Sequence, residues 1–274
     1  MNFDLHSHTS ASDGKLSPTE LVVAAQQAGV DTLAITDHDD IAGYLNWSKN
    51  KPENAINVIP GIEFSTTWNG LGVHVLGLNI DVLSDAITDG VKQQLMAREA
   101  RSIQIIERLR KTGLDISHDE LIKSAGTRTL GRPHIARYLV QKQLVKDEYA
   151  AFKKYLGAGK LGDVKNLWAE LSDVIDWIRD GHGTAILAHP NKYKLTFAKL
   201  ERLTKDFVSL GGQGLEVISG RQDSETTIRL AKLCTEYNLL ASRGSDFHDH
   251  GQPWAQLGKI AELPILCKPV WDHW

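Results

Sequence analysis

Hydrophobic positions along this chain fall into short, nearly unbroken runs separated by longer amphipathic stretches. Phe3–Leu5, Thr32–Ile35, Val58–Phe64, Val73–Ile80, Thr184–Ala188, Gly214–Ile218 and Leu239–Ser242 have the length and apolar density of buried strands. Most of the intervals between them read as helices. Ser17-Pro18-Thr19-Glu20 is a capping box with proline at the first helical position, and Gly29 closes the helix it opens. Asp223-Ser224-Glu225 starts another that runs toward Tyr237. Strands alternating with helices imply parallel pairing, and seven such strands predict a closed or nearly closed α/β barrel.

The alternation fails between about residues 84 and 183, where only helices are expected, over roughly 86–112, 117–125, 133–143, 147–156 and 171–181. Charge changes in the same place. Residues 97–165 carry 15 Lys/Arg against 8 Asp/Glu, within a chain whose net charge is −3. The expected organisation is a barrel made of residues 1–96 and 166–274, interrupted by an inserted helical substrate-binding cap at 97–165. A basic segment in an acidic chain suits a cap that holds a phosphate-rich substrate, although a solvated helical face produces the same count.

Composition narrows the class. At 274 residues, 42% hydrophobic and 24% charged, the chain is sized for one such barrel in an ordinary soluble protein. No apolar run reaches the length of a membrane span, and Met1-Asn2-Phe3-Asp4 lacks a signal-peptide pattern, so a cytoplasmic protein is expected. Cys234 and Cys267 lie far apart without metal-type spacing and read as free thiols. The net charge argues against a general nucleic-acid coat, and no obligate protein partner is evident.

Polar residues interrupt the strand ends in a repeated way. His6 and His8 are two apart, so in a strand both imidazoles point to one side. Asp13 follows in a Ser12-Asp13-Gly14 turn, and His38 ends the next strand in Thr36-Asp37-His38-Asp39. Glu63 stands in Gly61-Ile62-Glu63-Phe64-Ser65, and His74 opens Val73-His74-Val75-Leu76-Gly77. His189 sits in Ala188-His189-Pro190, and Asp246 and His248 in Ser245-Asp246-Phe247-His248. Any one of these would pass for a satisfied core group or a surface histidine. Together, each is expected at or just beyond the C-terminal end of a strand, the face on which α/β barrels build active sites. Six imidazoles and three carboxylates without thiolate predict a multinuclear site suited to Mn²⁺, Fe²⁺ or Zn²⁺.

The order His-x-His, Asp-Gly, Thr-Asp-His, Gly-x-Glu, His-x-x-Gly, Ala-His-Pro and Ser-Asp-x-His resembles the polymerase and histidinol phosphatase (PHP) superfamily of metal phosphoesterases, across the whole chain. Arg132-Pro133-His134, Phe152-Lys153-Lys154-Tyr155-Leu156, Gly159-Lys160 and Gly212-Gln213-Gly214-Leu215-Glu216-Val217 resemble the branch that contains ribonuclease AM and the 3′,5′-nucleoside bisphosphate phosphatases. The resemblance implies a distorted (β/α)7 barrel with a centre of three divalent ions, usually manganese. It implies that His6, His8, Glu63 and Asp246 hold the first ion. Glu63 would bridge to a second ion held by His74 and His189, and Asp13, His38 and His248 would hold the third. Asp37 and Asp39 would orient ligands. Glu63, Asp246 and His134 are the expected catalytic residues, with hydroxide between the ions as nucleophile and His134 as phosphate donor or leaving-group acid; an ordinary histidine at a helix N-terminus is the other reading of His134.

Substrate contacts are expected from Arg98 and Arg101, three apart on one helix face, and from Arg132, His134, Lys160 and Lys192. Lys153 and Lys154 read equally well as solvated lysines. Relatives commonly carry arginine at the position of Lys192 and an aromatic at that of Asp163, so the lysine lacks a bidentate fork and base stacking at Asp163 is doubtful. A 5′-phosphate in the cap would place a 3′-phosphoester on the metals. The implied activity is 5′→3′ exonucleolysis of short single-stranded 5′-phosphorylated RNA, together with hydrolysis of 3′,5′-bisphosphate nucleotides. The alternatives are a dedicated bisphosphate phosphatase and a non-catalytic metal-binding accessory module; a histidinol-phosphate phosphatase fits the helical insertion less well.

Overall fold

Strand pairing in this protein is parallel except on the two edges of one strand, which runs against both of its neighbours. The computed structural model describes residues 1–127, 129–164 and 167–274. Strands β1 (Phe3–Asp4), β2 (Thr32–Ile35) and β3 (Asn57–Trp68) pair in parallel, with α1 (Pro18–Gln27) and α2 (Ala42–Lys49) as crossovers. β4 (Leu71–Leu78) folds back on β3 with Gly61 opposite Leu78 and Trp68 opposite Leu71. β5 (Thr184–Leu187) pairs antiparallel with β4, and parallel pairing resumes through β6 (Gly214–Ser219), β7 (Leu240–Gly244) and the short β8 (Lys268–Pro269). The expectation of uniformly parallel strands is therefore corrected around β4. Its cause is Asn69-Gly70, with φ of 48° and 75°, the residue pair that a two-residue hairpin turn demands.

The sheet curls until its first and seventh strands meet. Leu5 N donates to Arg243 O at 3.0 Å, Asp246 N to His6 O at 2.9 Å, and His8 N to Phe247 O at 2.9 Å. Gly244 permits this approach, since a Cβ there would stand 2.2 Å from His6 Cβ. The expected distorted barrel is observed, and all seven predicted strands are present; β8 was not anticipated.

Helices α3 (Asp85–Arg110), α4 (His118–Ala125), α5 (Arg132–Gln141) and α6 (Glu148–Ala151), which runs on into a π-helical turn at Phe152–Leu156, fill the region between β4 and α7 (Leu171–Asp180). They are followed by α8 (Phe197–Ser209) and α9 (Ser224–Glu236). One apolar core lies between the sheet and the helices, joining Phe64 and Val75 to Ile87, Val91, Ile178, Phe207 and Leu230. A second, formed within residues 105–164, joins Ile105, Leu109, Leu121, Ile135, Leu139 and Leu156. α3 contributes to both, and Arg98 and Arg101 lie on its buried side between the two contacts. The boundary expected at residues 165 and 166 lies outside the described residues. Cys234 and Cys267 are both free and buried, and Cys234 Sγ donates to Leu239 O at 3.2 Å. Among the described residues, no helix is long and apolar enough to cross a membrane.

Candidate metal centre

One buried carboxylate organises the barrel mouth. Glu63 is fully buried, and five imidazoles point at its two oxygens. Oε1 lies 2.7 Å from His74 Nδ1 and 2.8 Å from His189 Nε2. Oε2 lies 2.8 Å from His38 Nδ1 and 3.3 Å from both His6 Nε2 and His8 Nε2. Asp246 Oδ1 approaches His8 Nε2 at 3.2 Å and His6 Nε2 at 3.4 Å. Asp13 stands beside them, 3.1 Å from His248 Nε2 and 3.7 Å from His38 Nε2. All nine residues expected as ligands are thus brought together.

Two reach the cluster by a route the strand-end rule did not describe. Glu63 is the seventh residue of β3, and His74 the fourth of β4. β3 outruns its parallel partner, whose last paired residue is Ile35, and continues into the hairpin. Because β4 is antiparallel, its N-terminal half lies at the rim where parallel strands end. Elsewhere the backbone bends sharply at or beside the clustered side chains: Asp39, next to His38, and His189 and Asp246 adopt φ of 52°, 27° and 55°, a region costly for non-glycine residues.

The donor set fits cations better than it fits itself. Buried atoms without a hydrogen-bond partner among the described residues include His6 Nε2, both ring nitrogens of His8, Asp13 Oδ1, His38 Nδ1, Glu63 Oε2 and His189 Nδ1. So dense a group of unsatisfied donors and acceptors costs free energy unless ions occupy the space between them. Ligand atoms fall within 4.8 Å of one another in four overlapping groups: His8-Asp13-His38-His248, His6-Glu63-His189, His6-His8-Asp246 and His38-Glu63-His74. His8 thus reaches the third-ion residues as well as those implied for the first.

Charge follows position. Burial, then the neighbouring His248 and His38, pushes His8 down to about 3, so its ring stays neutral, the form that binds metal. Burial opposes a charge on His248, but Asp13 and Asp246 raise it to about 9. Burial likewise opposes ionisation of Glu63, yet His38, His74 and His6 hold it well below the usual carboxylate range. Asp13 and Asp246 are held low by their histidines, against burial, with Lys192 helping at Asp246.

Supporting residues are only partly those foreseen. Glu216, quoted in the motif but given no role, is fully buried, accepts from His6 Nδ1 at 3.0 Å and from His189 N at 2.5 Å. It fixes two of the clustered histidines at once, one by its ring and one by its backbone. Glu216→Gln is expected to weaken metal affinity about 10- to 100-fold with the fold intact, measured by metal titration against a fluorescent chelator; an unchanged affinity would refute that role. Asp37 accepts from Thr9 N, Thr9 Oγ1 and Ser12 Oγ at 2.6–2.7 Å, holding the loop that carries Asp13. Asp39 accepts instead from Arg98 Nε and Ser65 N at 2.6 Å, tying α3 to the barrel. Tyr193 donates to Ala188 O at 2.8 Å and accepts from His74 N at 2.9 Å, strapping β4 to the end of β5.

A cavity of about 440 Å³ opens from Asp13, His38 and His74 toward Arg98, Arg101 and Arg132. Arg98 and Arg101 hold their guanidinium carbons 5.3 and 5.1 Å from the centre of the Trp168 ring, which also lines the cavity. Arg132 donates to Leu156 O at 3.0 Å, with Asp163 at 3.8 Å; Asp163 also accepts from Gly159 N. Lys192 lines the cavity and pairs with Asp246. Two residues expected here are placed elsewhere. Lys160 is exposed and does not line the cavity. His134 is buried, its Nδ1 accepts from Gly131 N at 3.0 Å at the start of α5, and burial pushes it down to about 4. With Nδ1 so engaged, the ring caps the first turn of α5. Lys153 and Lys154 are exposed beside Tyr149 and Tyr155, as solvated lysines would be.

The chain is similar to proteins of known name. It is 40% identical to the 5′-3′ exoribonuclease of Haemophilus influenzae over 98% of both chains. It is 36% identical to the 3′,5′-nucleoside bisphosphate phosphatase of Chromobacterium violaceum, over 98% of this chain and 95% of that one. Among solved structures, an amidohydrolase from Chromobacterium violaceum, with bound sulfate and no metal, superimposes with a TM-score of 0.90 at 36% identity, over all of this chain and 95% of that one. Residues 4–182 match the PHP domain, and with the barrel and its histidine-rich mouth this establishes that the chain belongs to the PHP domain family.

Proposed function

We propose that this protein is a metal-dependent phosphoesterase for 5′-phosphorylated nucleotides. It removes the 3′-phosphate of 3′,5′-bisphosphates and releases nucleoside 5′-monophosphates stepwise from the 5′ end of short single-stranded RNA. The observation that carries the reading is a buried carboxylate, Glu63, ringed by five imidazoles, two of which, His38 and His74, line a cavity walled by the guanidinium groups of Arg98, Arg101 and Arg132. The names of the relatives support it.

His6, His8, Glu63, Asp246, His74, His189, Asp13, His38 and His248 would hold three divalent ions, Mn²⁺ above Fe²⁺ or Zn²⁺. When bound, such ions supply an activated water and neutralise charge in an in-line displacement at phosphorus. The chain's own groups do the rest. Glu216 and Tyr193 fix the ligands' orientation, and Arg101 and Arg132 take the 5′-phosphate, with Arg98 held beside them by Asp39. Lys192, paired with Asp246, neutralises the phosphate being cut. Water's oxygen bonds to phosphorus as the bond from phosphorus to the 3′-oxygen breaks, and a proton passes to that oxygen. Residues 97–165 act as the cap, and a cytoplasmic location agrees with substrates of this kind.

The test gives purified protein and Mn²⁺ adenosine 3′,5′-bisphosphate and a 5′-phosphorylated RNA pentamer in parallel. Comparable kcat/KM on both is expected, with a 5′-hydroxyl pentamer a poor substrate. Turnover of the bisphosphate alone selects a dedicated phosphatase. Turnover of neither overturns the reading.

A further inference from the structure

A second cavity, of about 310 Å³, meets the metal-ligand cluster from the other side. Asp13, Asp246 and His248 line it, and Asp13, Lys192, Pro133 and Phe152 line both cavities. The cluster therefore stands on a ridge between two pockets. The first reaches the buried arginines. The second leads outward to Trp254, whose side chain is 57% exposed although its loop is fixed, Arg221 N donating to Trp254 O at 2.7 Å. Among the described residues its ring makes no hydrogen bond, stacking or cation–π contact, and exposed Trp is uncommon without a contact to make.

We propose that this second cavity is the subsite for the nucleotide on the 3′ side of the scissile phosphate, with Trp254 as its stacking platform. The inference rests on the function proposed above. A 3′,5′-bisphosphate spans the arginine cavity and the ridge and ends there. An RNA chain has a further nucleoside joined to the same phosphorus through its 5′-oxygen, and that group needs space beyond the ridge. The volume lies at the lower end of the roughly 300–1,000 Å³ typical of small-ligand pockets, suited to one nucleotide at a time.

The lining matches a chain that must advance after every cut. Its charges are mixed: Lys15 is paired with Asp249, and Arg137 donates to Asp13 O at 3.0 Å, so neither offers a dedicated phosphate clamp. An aromatic face grips any base without reading its edge. The arginine cavity thus selects the 5′ end, and the Trp254 side distinguishes a polymer from a terminal phosphate.

The test compares wild type, Trp254→Ala and Trp254→Phe, each full-length with Mn²⁺, on adenosine 3′,5′-bisphosphate and on the 5′-phosphorylated RNA pentamer. Trp254→Ala is expected to lower kcat/KM on the pentamer about tenfold, as loss of one base stack would. Bisphosphate turnover should stay within about twofold, showing the variant folded, and Trp254→Phe should restore most of the pentamer activity. Equal loss on both substrates, or no loss on the pentamer, overturns the subsite. Wild type active on the bisphosphate alone also overturns it while leaving the nucleotide phosphatase standing. Wild type active on neither removes the underlying reading itself.

Discussion

Glu63→Ala is expected to lower kcat about ten-thousand-fold or more on every substrate. The substitution deletes the two oxygens that five imidazoles approach at 2.7–3.3 Å, and with them the charge at the centre of the cluster. Glu63→Gln keeps the volume and loses only the charge, so it separates ligation from packing and should fall nearly as far. Thermal melting supplies an independent readout. Mn²⁺ should raise the Tm of the wild type, because a ligand that binds only the folded state stabilises it, and this rise should shrink sharply in both variants. Near-normal turnover with a full metal-dependent shift in Tm would show that Glu63 is not the hub.

The second large effect belongs to Arg101. Its side chain is buried, with Nε donating to Val164 O at 2.7 Å. Burial first, then the nearby Arg132 and Arg98, lowers it to about 9. Three guanidinium groups held so close repel one another, a repulsion that Asp39 and Asp163 offset only in part and that a phosphate would relieve. Arg101→Ala is therefore expected to raise KM for 5′-phosphorylated substrates about 10- to 100-fold, the worth of a charge-assisted hydrogen bond, with kcat changed only a few-fold. A 5′-hydroxyl pentamer should be indifferent to the change, so the preference for the phosphorylated end collapses. An equal effect on both kinds of end would remove the 5′-phosphate from this pocket.

The residues that gather at the barrel mouth are more legible in the sequence than those that line the cavity. Metal-binding histidines and carboxylates announce themselves because few packing needs put such groups at the ends of apolar runs. Arginines and lysines carry no comparable mark, since solvated faces use them freely. Lys160 shows this: it carries the same charge as Arg132, yet only Arg132 lines the cavity. His134 shows the reverse, a residue suggestive of acid chemistry whose contact is with the backbone amide of Gly131. Glu216 lay inside a strand run with its role invisible, because His6 comes to it from 210 residues away. The hairpin does have a local signal, since Asn69-Gly70 between two apolar runs is the residue pair of a tight turn.

The sequence by itself determined the alternating strands and helices, the helical interruption with its basic excess, and the nine side chains that gather at the barrel mouth. Those properties are local, set by hydrophobic period, turn chemistry and the cost of burying polar groups. Only the tertiary structure decided that β4 runs antiparallel, that Glu63 lies between the imidazoles, and that one cavity ends in arginines while another opens at Trp254. Each of these depends on contacts between segments far apart in the chain, whose geometry is fixed by barrel closure and by no pattern within either segment.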